Sequence, residues 1–86
     1  MSEKIKEAIK NCEDLTDSIM DMISETLNEN KIEFIQNNES EIVIENNTKE
    51  NIREILLSMD VDKSALKLLI QITENNDNVY IRQKFN

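Results

Sequence analysis

The chain has 86 residues, enough for one domain, and contains no glycine, proline, histidine or tryptophan. Ten basic against 18 acidic residues leave a net charge of -8, which opposes binding to nucleic acid or to an anionic membrane through the chain's own field. The missing histidine removes the side chain most used for acid–base work near neutral pH and the commonest zinc ligand, and the missing glycine rules out loops that close their backbone on a phosphate.

Residues 3–29 read as one amphipathic helix. Ile5, Ala8, Ile9, Cys12, Leu15, Ile19, Met22 and Ile23 recur at helical spacing, with Met20 and Leu27 on the edge of the stripe. The opposite side carries Glu3, Glu7, Asp14, Asp17, Asp21 and Glu25, interrupted by Lys10. Asn28 or Asn30 is expected to take the left-handed conformation that ends the helix, as asparagine tolerates positive φ in a chain without glycine.

The pattern then changes to period two. Ile32 and Phe34 in residues 31–36, and Ile42 and Ile44 in residues 41–45, point to one side, and Asn37-Asn38-Glu39-Ser40 between them has turn chemistry, giving a hairpin. Asn47 or Thr48 caps a second helix whose first turn holds Glu50 and whose buried face is Ile52, Ile55, Leu56 and Met59. Residues 64–73 fit either a broadly apolar helix or a strand. Leu66, Leu68, Ile70 and Ile72 alternate with Lys67, Leu69, Gln71 and Thr73, and on that alternation a strand is expected. A turn at residues 74–78 leads to a last strand with Val79, Ile81 and Phe85 on one side. The fold class is therefore α+β in the order α-β-β-α-β-β. A long N-terminal helix and a second helix pack on one face of a four-stranded, mainly antiparallel sheet in a single domain spanning residues 1–86.

A helix over residues 3–29 is roughly 40 Å long, whereas strands of six or seven residues cover roughly 20–23 Å. Either the helix breaks near Asp14 to Ser18, or the overhanging end of its apolar stripe is covered by a second copy. A small domain is marginal alone, so a homodimer is expected. On the sheet's other face Ile35, Val43, Leu69 and Tyr80 are expected among Lys31, Glu33, Glu41, Glu45, Lys67, Arg82 and Lys84. This is either an ordinary solvated face or a contact patch anchored by Tyr80, the one tyrosine.

Little in the chain points to catalysis. Cys12 lies in the apolar stripe with no histidine to activate it, so it reads as a buried structural residue. Asp60-Val61-Asp62-Lys63-Ser64 has the start of a calcium loop, but Ala65 and Gln71 stand where glycine and the bidentate glutamate are required, so Asp62 and Ser64 read as turn formers. Neither enzyme activity, cofactor nor metal is expected. No apolar run exceeds three residues and the opening Met1-Ser2-Glu3-Lys4 has no signal-peptide core, so a cytoplasmic protein is expected.

The acidic stripe carries the most functional content. Most of its steps are three or four residues, roughly 5–6 Å each, close to the separation of successive phosphates along a nucleic-acid strand. Such a stripe suits a basic groove on a nucleic-acid-handling protein, although an acidic helix face can also be merely solvated. The leading expectation is a non-enzymatic acidic protein that inhibits or regulates a partner with a basic surface. Asp14, Asp17, Asp21 and Glu25 would form the contact and Tyr80 a second one. By analogy this is the manner of phage or mobile-element inhibitors and of immunity proteins. The alternatives are a dimeric acidic chaperone or adaptor that captures an extended client segment, and an oligomer with a small-ligand pocket between subunits. The arrangement of long helix, sheet and second helix loosely resembles the type III secretion chaperones, which implies a dimer and client capture on the sheet or helix groove. That family's chains are longer, with a further strand and a third helix, and no sequence motif of theirs is matched.

Overall fold

The structure, a computed structural model, describes the backbone of residues 3–38 and 40–84, and the side chains of those residues from Asp14 onward. The first helix, α1, runs unbroken over Glu3–Glu29, which removes the alternative of a break near Asp14 to Ser18. Thr16, Ile19, Met20, Ile23 and Leu27 are its buried residues. Leu15, expected in the stripe, is 48% exposed, and Met22 is half-buried. The buried stripe is thus rotated toward Met20 and Leu27, about 100° per residue placing Leu15 and Met22 on its flank. Thr16 takes the inward position instead, and among the described residues no buried side-chain nitrogen or oxygen lacks a hydrogen-bond partner.

The helix ends in a Schellman motif built without glycine. Ile32 N–H donates to the Leu27 carbonyl (2.9 Å) and Lys31 N–H to the Asn28 carbonyl (3.0 Å), with Lys31 at φ 58°. The left-handed residue is therefore Lys31, neither Asn28 nor Asn30. Tertiary packing sets the position: Leu27 is buried, and Ile32 packs against the same core one turn later. That pairing of apolar residues across the motif outweighs the asparagine's local preference.

Ile32 and Phe34 turn inward as expected and pack on the core, but they precede the strand. β1 spans Ile35–Asn38 and β2 spans Glu41–Ile44. Asn37 and Asn38, expected in the loop, belong to β1, and the register slips between Gln36 and Asn38. Asn38 Oδ1 accepts from both the backbone N–H (2.7 Å) and the hydroxyl (2.6 Å) of Ser40, closing the turn.

α2, Lys49–Leu57, starts at Thr48, whose hydroxyl accepts from Asn51 N–H at 3.2 Å. A second cap comes from far along the chain, where Glu74 Oε1 accepts from Lys49 N–H at 2.6 Å. Two orphan donors of the first turn are thus satisfied, and a carboxylate sits at the positive end of the helix dipole.

The expected strand over residues 64–73 is a helix in its first half. α3, Lys63–Leu69, is capped by Asp62, whose Oδ1 accepts from Ser64 N–H (2.8 Å) and Ala65 N–H (3.3 Å). Its residues are strong helix formers such as Ala65, Leu66 and Lys67, and the β-branched residues begin only at Ile70, where the chain becomes extended. Leu66 and Leu69, three apart, are buried while Leu68 is 65% exposed. Leu69 therefore belongs to the core, not to the outer sheet face.

β3, Ile70–Asn75, and β4, Asn78–Gln83, form a tight hairpin. Asn76 and Asp77 both have positive φ, 52° and 65°, the geometry of a two-residue type I′ turn.

The four strands lie in the order β1-β2-β4-β3, with every pair antiparallel. Ile42, Ile44, Val79 and Ile81 meet Ile19, Ile23, Leu27, Ile52 and Leu56 in one apolar cluster, so α1 and α2 cover the same face. The fold is α+β in the expected order, with α3 added before β3.

Candidate functional site

The burial of Ile19, Met20, Ile23 and Leu27 fixes which side of α1 faces outward. Asp14, Asp21 and Glu25 are exposed on that side, within about 40° of one another round the helix axis and opposite the buried stripe. From Asp14 to Glu25 they extend over roughly 16 Å. Asp17 is also exposed but lies about 60° from Asp14, toward the sheet. Gln83 Nε2, at the end of β4, donates to its Oδ1 at 3.1 Å. Two turns on, the Ser24 hydroxyl donates to Gln36 Oε1 (3.3 Å), tying the same flank of α1 to β1. Asp14, Asp21 and Glu25 form a line, then, and Asp17 stands beside it, held to the sheet end. The side chains of Glu3, Glu7 and Cys12, also named from the sequence, lie outside the described residues.

Tyr80 is not part of this array. It projects from the sheet face opposite the helices, in register with Val43 on β2 and Thr73 on β3. With Ile35, the partner of Val43 on β1, these residues make a row across all four strands in which Ile35 is 50% exposed. The adjacent row is polar. Glu41 pairs in register with Arg82 and forms an ion pair with it, while Asn37 Nδ2 donates to Glu41 Oε1 at 2.7 Å. The Arg82 guanidinium lies 4.9 Å from the Tyr80 ring centroid, in cation–π range. Hydrogen bonds from Arg82 and then Asn37 hold the Glu41 carboxyl below the ordinary glutamate range, against a smaller opposing effect of desolvation. A contact through Tyr80 would therefore include this charged pair.

Sequence reading places Glu41 and Arg82 merely among the polar residues of this face. Their pairing depends on the β2–β4 register, which spans 41 positions of chain and leaves no local signal. Asp62, considered and rejected as a calcium ligand, spends its carboxylate on the cap of α3. No helix among the described residues is long and apolar enough to cross a membrane. No known family model matches the chain, and no curated protein or solved structure shows significant similarity to it.

Proposed function

We propose that this protein is a non-enzymatic, cytoplasmic acidic binding protein that inhibits or regulates a partner through the partner's basic surface. The observation that carries this reading is the line of Asp14, Asp21 and Glu25, exposed along the outer side of a helix whose inner side is locked into the core. The helix fixes the backbone that carries these charges, so little backbone freedom is lost when a cationic groove closes on it. Long-range attraction speeds the encounter and the fixed spacing supplies selectivity. Small size and acidity favour the phage or mobile-element inhibitor type, acting on a nucleic-acid-binding surface. We propose that a second copy of the chain covers α1 around Leu15, which is half exposed beside the buried Thr16.

The test is a charge reversal, D14K/D21K/E25K, in the intact protein, with partner capture from the source cells compared quantitatively against wild type. Loss of the captured partner with an unchanged circular dichroism spectrum supports the reading. Capture that survives the reversal sinks it. A second reading, client capture on the outer sheet face, draws on the exposed Ile35 beside Val43 and Tyr80. It predicts instead that Tyr80→Ala abolishes capture while the triple reversal leaves it intact.

A further inference from the structure

Strand β3 is an edge strand, with β4 its sole strand neighbour among the described residues. A groove of about 670 Å³ runs beside it, between the outer side of α2 and α3. Lys49, Arg53, Lys63, Lys67 and Lys84 line it, which is half of the chain's ten basic residues. None of its lining residues is acidic, in a chain with 18 acids. Lys49, Arg53 and Leu57 fall at four-residue spacing along one side of α2, and Lys63, Leu66 and Lys67 do the equivalent on α3. Leu57, Leu66, Ile70 and Ile72 supply an apolar floor beneath these charges. Lys84 Nζ donates to the Lys67 carbonyl at 2.8 Å, which fixes its charge over the C-terminal turn of α3.

The backbone of β3 adds a third feature. Bonded and non-bonded residue pairs alternate in an antiparallel ladder. The two-residue turn at Asn76 and Asp77 makes Asn75–Asn78 a bonded pair. Ile72 opposite Ile81 is then non-bonded, and its N–H and C=O face the open edge. Ile70, two residues earlier, has the same phase, and its N–H indeed turns away from β4 to the Leu66 carbonyl.

We infer that this groove binds an extended acidic peptide segment of a partner protein, added as a fifth strand along β3. The segment's backbone would bond to Ile72, its carboxylates would meet the cationic walls, and its alternate apolar side chains would rest on the Leu57–Leu66–Ile72 floor. A second copy of the chain does not suit this edge, because pairing β3 with β3 brings two cationic grooves together. A nucleic acid could meet the cationic walls but has no peptide N–H and C=O to continue the sheet at Ile72. A short acidic strand is the occupant that matches charge, shape and free backbone at once. The site is separate from the acidic side of α1, so the molecule would hold two partner segments of opposite charge.

The test uses a fluorescein-labelled peptide of alternating glutamate and valine, titrated with the full-length protein and read by anisotropy. Binding is expected to weaken by about tenfold or more in R53E/K67E, both exposed positions, and to be no weaker in D14K/D21K/E25K. That second result separates this inference from the proposed use of α1. The peptide should also slow hydrogen exchange of the Ile72 amide. Any of four results overturns the inference: no binding, equal binding to R53E/K67E, an Ile72 amide left unprotected, or displacement of the peptide by an oligonucleotide at lower concentration than by unlabelled peptide.

Discussion

The two αββ halves of this protein share an order of elements and little else. The first half invests its helical residues in one rod, α1, and follows it with a short hairpin whose edge strand slips register between Gln36 and Asn38. The second half divides its helical residues between α2 and α3 and follows them with six-residue strands joined by a tight type I′ turn. Charge divides in the same way. Residues 1–30 carry eight acids against three lysines, displayed where described on the outside of α1. The second half, from α2 onward, holds the cationic groove although its six acids match its six bases. Net charge per segment is therefore a poor guide to the surface a segment presents. What matters is which charges the packing collects on one side.

The largest effect that sharpens the comparison is in the two hairpins. Ile81, on the helix-covered face of β4, is fully buried, whereas Ile35 on β1 is 50% exposed. Ile81→Ala should cost about 2–5 kcal/mol of unfolding free energy, from lost transfer energy and the cavity left behind. Ile35→Ala should cost roughly 0.5 kcal/mol or less, as surface changes usually do. Equal costs by chemical denaturation would mean that the outer face of the first hairpin is packed as tightly as the helix-covered face of the second.

A smaller effect concerns how each half makes its turns without glycine. Lys31 ends α1 in the left-handed region with no Asx-type side chain to ease it, whereas the second hairpin uses Asn76 and Asp77 there. Lys31→Gly should therefore stabilise by about 0.5–1 kcal/mol, and Asn28→Gly, inside the helix, should destabilise by a similar amount. The opposite pair of signs in the unfolding midpoint would return the left-handed residue to Asn28.

The smallest effect is the pH response of the pair joining the halves, Glu41 on β2 and Arg82 on β4. The folded pKa of Glu41 is lowered, so the folded state binds fewer protons than the unfolded state at acid pH. The pair's contribution is then complete above the unfolded value and is lost as pH falls through the lowered folded one. Glu41→Gln should flatten that part of the acid-unfolding curve. An identical curve for the variant would show the pair to be energetically silent.

Much of this architecture is legible in the residues because it depends on local spacing. α1 shows in a stripe sustained over seven turns, the cap at Thr48 in the residues around it, and the second hairpin in asparagine and aspartate between alternating apolar residues. Leu15 and Met20 exchange their expected roles because the stripe is wide, and the sheet decides which edge of it is covered. Residues 63–69 mislead because Leu66, Leu68 and Leu69 satisfy both periods over so short a stretch. The cap by Asp62 and the onset of β-branched residues at Ile70 hold the information that separates them. The candidate sites divide along the same line. The row on α1 is a property of one helix and can be read from spacing, whereas the cationic groove gathers residues from α2, α3, β3 and the end of β4.

The account's central claim is that fixed charges on the outside of α1 are what a partner recognises. The direct measurement is the affinity of that captured partner against salt for wild type and for D14N/D21N/E25Q, which removes the charge while keeping the shape. Wild-type affinity should fall steeply between about 0.05 and 0.5 M salt, and the neutralised protein should bind weakly with a much flatter response. Equal affinity and equal salt dependence for the two proteins would contradict it.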